Sequence, residues 1–259
     1  MTDVPAYSRL AAGYDAVMAH VDYLAWAAYV RALLHRHAPL ARSVVELGCG
    51  TGAFARVLQP LGDGGGYRYR ATDGSEAMIQ AARAASAPGT AIDFAVHDFL
   101  DPIPGPPADV VLLLYDGLNY LLEADEVATL FGHVHDALAP GGLFVVDQST
   151  PANSLGHPDG FDDAGETDAF AYVRSSAYDP DRRLHTTTFR LRGADGEATE
   201  THVQRAYELA EVERLFAASP LDVVAAYDEF GFEPADASTE RIHWVARRPR
   251  PRQPDASSA

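Results

Sequence analysis

The residues best suited to chemistry cluster in one stretch, Glu46-Leu-Gly48-Cys-Gly50-Thr-Gly52, and single acids follow at Asp73 and Asp98. Glycines at a strand-to-helix junction let ligand atoms approach the backbone, which suits a nucleotide-like ligand. The spacing is G-x-G-x-G followed by Ala53, and it departs from the G-x-G-x-x-G of dinucleotide-binding enzymes. Asp73 is placed to accept hydrogen bonds from two ribose hydroxyls, and Asp98 to receive an adenine amino group with Phe99 beside it. All 20 basic residues are arginines, so neither a Schiff-base lysine nor a Walker-type phosphate lysine is available. The single cysteine, Cys49, lies inside the glycine turn without an evident base and reads as a turn residue. His35/His37 and His133/His135 lie two apart on predicted helices, a spacing that sends the members of each pair to different faces, and no metal site is expected.

The elements that must position these residues are legible as an alternation. Residues 22–37 carry apolar side chains at helical spacing, with Tyr23, Trp26, Val30, Leu33 and Leu34 on one face. Strands are expected at 43–47, 67–72, 91–96, 109–114 and 143–146. Helices are expected at 53–58, 75–85 (capped by Ser75) and 123–138, the last closed by Pro140-Gly141-Gly142. Asp109 to Leu114 is the unbroken apolar run of a strand buried on both faces. Five such alternations imply an α/β fold with a doubly wound parallel sheet. Residues 149–169 read as a loop. Three alternating segments, 170–178, 184–191 and 199–206, read as an antiparallel meander inserted after strand five. A helix at 209–218 and strands at 221–227 and 241–246 complete the chain, and the arginine- and proline-rich tail reads as disordered. The organisation expected is N-terminal lid helices over 1–42, a nucleotide-binding domain over 43–148 and 207–247, a β insertion for the acceptor over 149–206, and a tail over 248–259.

The chain has 259 residues, 37 acids against 20 bases and a net charge of −17, a balance that disfavours a phosphate backbone as partner. Hydrophobic residues make up 47%, which excludes wholesale disorder. The opening MTDVPAYSRL has neither the basic region nor the apolar core of a signal peptide. No run of about 20 apolar residues is present, so a cytoplasmic protein without membrane association is expected.

The combination of ELGCGTG, an acid ending strand two, the His97-Asp98-Phe99 triplet and LAPGG before strand five resembles the class I S-adenosylmethionine-dependent methyltransferases. Tyr14-Asp15, Asp22-Tyr23, Trp26 and the Asp116–Leu121 segment (DGLNYL) are similar to a bacterial branch that acts on small molecules. The resemblance implies a Rossmann-like seven-stranded sheet with S-adenosylmethionine as cofactor. On that likeness Gly48, Cys49 and Gly50 would pass the methionine part, Glu46 would orient the turn or meet the amino group, and Asp73 with Gly74 would hold the ribose. Met78 and Phe99 would sandwich the adenine near Asp98. Tyr14, Tyr23 and Trp26 would form a lid, and Tyr115 would lie near the sulfonium.

The methyl acceptor, a nitrogen or oxygen of a small molecule, is expected over Tyr115, Asp116, Asn119 and Tyr120, with His202 and Arg205 reaching inward from the meander. Of these, Tyr115, Asn119 and His202 are the candidate catalytic groups. Other readings remain: a cofactor-binding regulatory protein, an RNA or protein methyltransferase, and a nicotinamide-dependent oxidoreductase. A monomer or a homodimer is compatible with the pattern.

Overall fold

A computed structural model describes residues 2–62, 64–156, 162–194 and 196–251. In it a short strand β1 (Thr2–Val4) leads into helices α1 (Tyr14–Val17) and α2 (Tyr23–His37). Asp22 starts α2 by accepting a hydrogen bond from Ala25 N at 2.9 Å, and His35, Arg36 and His37 occupy its last turn, where the helix dipole favours cations. The alternation then runs β2 (Ser43–Leu47), α3 (Ala53–Leu58), β3 (Arg68–Asp73), α4 (Glu76–Ala84), β4 (Ile92–Val96), β5 (Ala108–Leu113), α5 (Ala124–Ala137) and β6 (Leu138–Ser149). After α6 (Pro151–Gly156) come β7 (Asp163–Glu166), β8 (Phe170–Asp179), β9 (Leu184–Gly193) and β10 (Gly196–Arg205). The chain ends in α7 (Leu209–Ala217), β11 (Asp222–Asp228) and β12 (Arg241–Arg247).

Seven strands form the central sheet in the order β11-β12-β6-β5-β2-β3-β4, with β12 antiparallel to both neighbours and the remaining pairs parallel. This is the Rossmann-like arrangement the sequence implies. The chain winds outward from β2 to β4 on one side and from β5 to β6 on the other, so the switch point lies beyond the carboxyl ends of β2 and β5. Val110, Val111, Leu112 and Leu113 are wholly buried between two apolar layers. One layer holds Val30, Leu33, Phe54, Leu58 and Ile79, and the other Val127, Leu130, Phe131, Phe216 and Trp244.

A second sheet of five strands, β1-β10-β9-β8-β7, meets the first through contacts of β10 with the turn after β5. A third apolar cluster of Leu10, Val17, Phe170, Phe189 and Leu191 joins it to the N-terminal segment. The meander is thus larger than expected, because β1 pairs in parallel with β10 and β7 pairs with β8. Neither has a sequence signal: β1 is three residues long, and β7 lies in a Gly- and Asp-rich stretch. The expected loop over 149–169 is corrected at both ends by α6 and β7, while residues 157–161 lie outside the described ones.

Two further expectations change. Pro140-Gly141-Gly142 does not separate α5 from a four-residue strand but forms a bulge inside β6, whose register with β5 shifts between Ala108 and Val110. The expected disordered tail begins as structure. Arg247 donates to Gly141 O at 2.9 Å and His37 O at 2.7 Å, and Arg248 caps α5 by donating to His135 O at 3.0 Å and Leu138 O at 2.6 Å. Residues 252–259 lie outside the described residues, among which no helix is long and apolar enough to cross a membrane.

Asn119, expected at the acceptor, instead locks the two sheets together. Its amide nitrogen donates to Ser149 O at 2.8 Å and to Arg205 O at 2.7 Å, and its oxygen accepts from Ser149 N at 3.0 Å. Asn119→Ala leaves these three backbone groups without their partner, and a loss of about 3 kcal/mol is expected. Chemical denaturation of the variant checks this, with a lowered midpoint and an unchanged slope as the expected result.

Candidate active site

At the switch point a cavity of about 810 Å³ is lined by the glycine turn after β2, the loops after β3 and β5, and the segment Pro5–Ser8. Gly48 and Gly50 take φ of +65° and +54°, in the left-handed region where a side chain is strained. A Cβ on either would meet only Leu113 at 3.6 Å or Tyr14 at 4.0 Å, and one on Gly74 would meet nothing within 4 Å. These glycines therefore hold open space that side chains would fill. Gly52 answers to a different constraint, since a Cβ there would lie 2.6 Å from the Phe94 ring.

Asp73 ends β3 and faces the cavity. Its Oδ2 accepts from Gly50 N and its Oδ1 from Ser75 N, both at 2.8 Å, so the carboxylate is fixed from both sides. Burial pushes its pKa up and the two backbone donors oppose that shift. Ser75 Oγ in turn accepts from Met78 N at 3.3 Å and starts α4, which presents buried Met78 to the cavity. Glu46 is also buried, with Oε2 accepting from Tyr69 Oη at 2.8 Å. Burial, only partly offset by that bond, pushes its pKa up to about 8. Asp98 and Phe99 line the far wall, where Asp98 Oδ1 accepts from Leu100 N at 2.9 Å. Cys49 is buried beside Glu46 and Asp73, and its thiol is pushed well up, chiefly by burial.

Above the turn Tyr14, Tyr23 and Trp26 reach the cavity from the N-terminal helices, and Tyr115 reaches it from the end of β5. Tyr115 and Asp116 both have positive φ, 62° and 64°, a costly pair for non-glycine residues. A clamp holds them. Arg241, at the start of β12, pairs with Asp116 Oδ1 at 2.6 Å and with the wholly buried Asp147, while Asp147 Oδ2 accepts from Asp116 N at 3.3 Å. The same guanidinium lies 5.6 Å from the Tyr115 ring centroid and 5.5 Å from that of Trp26. Asp147 is raised by burial and pulled back by Arg241.

The residues expected around the cofactor all meet at this one cavity. Those expected around the acceptor divide. Tyr120 lines the cavity, and His202 stands behind it, with Nδ1 3.0 Å from Tyr120 Oη. Asp116 is committed to Arg241, and Asn119 to the backbone contacts described above. Arg205 turns away: it donates to Leu122 O at 2.8 Å, pairs with Glu211 at 2.5 Å and stacks over Tyr207. Strand parity explains this, because Ala198, Glu200 and His202 share the inner face of β10 and an odd position such as 205 points the other way. The same parity marks Glu200, which sequence reasoning missed. Tyr7 and Arg241 carried no comparable local signal.

The sheet order, with the glycine turn and the buried Asp73 carboxylate at one cavity, is that of the class I methyltransferase fold. Residues 44–142 match the family model described as a methyltransferase domain. A protein of Geobacillus sp. (strain WCH70), provisionally named a methyltransferase, is 28% identical over 253 residues, covering 93% of this chain and 99% of its own. The crystal structure of an S-adenosylmethionine-dependent methyltransferase from Clostridium acetobutylicum aligns with a TM-score of 0.73 at 22% identity, over 91% of this chain and 95% of the other. The sugar N-methyltransferase KedS8 from Streptoalloteichus sp. aligns with a TM-score of 0.71 at 22% identity, over 92% and 93%. The chain thus carries a methyltransferase domain over residues 44–142, within a fold it shares with S-adenosylmethionine-dependent methyltransferases. The cavity fits that cofactor, since three glycines leave its floor open and a fixed, buried carboxylate stands beside them.

Two outcomes test the electrostatics. The folded pKa of Glu46 lies above its ordinary value of 4.5, so the stability of the ligand-free protein is greatest below pH 4.5 with respect to this group and is lost as pH rises through about 8. Glu46→Gln is expected to remove that decline, read as a flatter dependence of unfolding free energy on pH across this window. Arg241→Ala strands two carboxylates and is expected to cost about 3 kcal/mol, measured by equilibrium denaturation at neutral pH.

Proposed function

We propose that the chain transfers the methyl group of S-adenosylmethionine to a nitrogen or oxygen of a small molecule, with the amine of an amino sugar as the first acceptor to try. The observation that carries this reading is the wall of the cavity opposite the glycine turn, where Tyr7, Tyr115 and Tyr120 line one continuous space. At about 810 Å³ the cavity stands toward the upper end of small-molecule sites, room for a nucleoside cofactor and a second small ligand. The resemblance to the sugar N-methyltransferase KedS8 favours the amine.

When bound, S-adenosylmethionine supplies a methyl group already activated on a positively charged sulfur. What is left to the protein is to orient, exclude water and manage one proton. Asp73 would hold the ribose hydroxyls, and Gly48 and Gly50 would let the methionine part lie against the backbone. Met78 and Phe99 would flank the adenine, with Asp98 at its amino group. Tyr14, Tyr23 and Trp26 would close over the ligand. Tyr115, fixed by the Arg241 clamp, would stand at the boundary between cofactor and acceptor. A hydroxyl acceptor needs a proton acceptor within hydrogen-bond reach, and an amine must lose a proton either before or after attack.

The test has two stages. Thermal-shift titration with S-adenosylmethionine, S-adenosylhomocysteine and NAD(H) is expected to give stabilisation by the first two alone, about 2.7 kcal/mol at 100 times the dissociation constant, and none of it in Asp73→Ala. Aminopentosides and their hydroxyl counterparts are then incubated with enzyme and cofactor and followed by mass spectrometry. A one-methyl mass gain on the amines is expected. Stabilisation by NAD(H) alone would sink the reading, and binding without any transfer would favour a regulatory protein.

A further inference from the structure

Resting on the methyltransferase reading above, we propose that Tyr7, Tyr120, His202 and Glu200 form a proton relay that takes the proton lost by the acceptor to a buried imidazole. The two tyrosines line the cavity and their hydroxyls are hydrogen-bonded to each other. Tyr120 Oη also lies 3.0 Å from His202 Nδ1. His202 is only 4% exposed, and its Nε2, buried without a hydrogen-bond partner, stands 3.6 Å from Glu200 Oε2. Glu200 is fully buried. Four side chains from three separate segments thus run in one line from the cavity to a carboxylate.

The chain of donors has one consistent direction. A proton on His202 Nε2 points at Glu200 and leaves Nδ1 as an acceptor, so Tyr120 donates to Nδ1 and Tyr7 donates to Tyr120 Oη. The lone pairs of Tyr7 Oη then remain for an N–H or O–H in the cavity. When the acceptor gives up its proton, Tyr7 Oη takes it, the Tyr7 proton passes to Tyr120 Oη, and the Tyr120 proton passes to His202 Nδ1. The electron pair of the broken N–H or O–H bond stays on the acceptor atom. The relay ends as imidazolium beside carboxylate, and the net charge of the four groups rises by the one proton received.

The surroundings favour passage over storage. Burial holds the pKa of both tyrosines well up, with Asp73 and Asp116 adding to the effect, so neither hydroxyl is a resting place for the anion. Burial works to raise the pKa of Glu200, but contacts from His202 and from the backbone N–H groups of Leu10, Arg9 and Tyr7 outweigh it and hold the carboxyl below its ordinary range. The groups facing His202 are Tyr7 from the N-terminal segment, Tyr120 from the turn after β5, Phe189 from β9 and Glu200 from its own strand. Glu200 and His202 do not reach the cavity themselves and are positioning residues, whereas Tyr7 and Tyr120 would touch the acceptor.

The deciding measurement needs no acceptor. Nitrogen-15 NMR of histidine-labelled enzyme with S-adenosylhomocysteine bound is expected to find His202 with a protonated Nε2 and an unprotonated, hydrogen-bonded Nδ1. In Tyr120→Phe, which keeps the ring, the Nδ1 signal should move to the value of a free acceptor nitrogen. A protonated Nδ1 in the wild type overturns the relay. With an aminopentoside that the wild type methylates, Tyr120→Phe is expected to lower kcat about 100-fold while KM stays within a few-fold, a split that loss of packing alone would not give. Wild-type kcat in that variant also overturns it. If the wild type methylates no aminopentoside, it is the amine reading that fails, and the tautomer still decides the relay.

Discussion

A carboxylate removed from water costs several kcal/mol unless donors or a cation surround it, and this cavity is built from carboxylates in that position. Their partners come from separate parts of the chain, and each set of contacts closes part of the site. Asp73 ties the glycine turn to the start of α4 through Gly50 N and Ser75 N. Asp116 and Asp147 draw Arg241 across from β12 and so hold the strained turn that presents Tyr115. Glu200 accepts from Tyr7 N at 2.7 Å, Arg9 N at 2.5 Å and Leu10 N at 2.9 Å, and thereby seats the N-terminal segment over the cavity. In a chain without lysine the only cation of this set is a guanidinium, whose planar fork meets both oxygens of Asp116.

The half of the molecule built on local rules was legible. Strand-turn-helix alternation, Ser75 as a cap, and the apolar run at 109–114 are each decided within a few residues, and the structure follows them. The parts that were misjudged depend on partners far along the chain. Pro140-Gly141-Gly142 looks like a stop, yet pairing with β5 and β12 carries β6 through it as a bulge. Thr2–Val4 becomes a strand only because the exposed edge of β10 accepts it. Arg247 and Arg248 look like solvated tail until the carbonyls of α2 and α5 are placed beside them.

The site followed the same division. Residues expected around the cofactor were carried by an ordered set of motifs along the α/β alternation and come together, whereas acceptor residues were chosen by loop position, which fixes neighbourhood but not direction. Asn119 is in the right loop and turned into the backbone, and Arg205 is in the right strand on the wrong face. Strand alternation alone would have exchanged Arg205 for Glu200. Tyr7 had no such signal, since its place over the cavity is set by Glu200, 193 residues away.

This division bears on how such an enzyme changes its acceptor. The family match spans residues 44–142, which contain Glu46, the glycine turn, Asp73, Asp98 and Tyr115. Tyr7, His202 and Glu200 lie outside it, on the N-terminal segment and the second sheet. On the proposed reading, β10 acts on the acceptor side indirectly, since Glu200 seats the segment that carries Tyr7 and His202 meets Tyr120, while no described residue of β8, β9 or β10 lines the cavity. Two further links couple the sides. Tyr7 O accepts from Ser75 Oγ at 3.0 Å, so the segment over the cavity also rests on the residue that caps α4 beside Asp73. Arg241 braces Tyr115 from the start of β12, two strands away at the same end of the sheet. On the proposed reading, movement of the roof reaches Asp73 through one hydroxyl, and the acceptor lobe can vary only as far as Ser75 and Arg241 still find their partners.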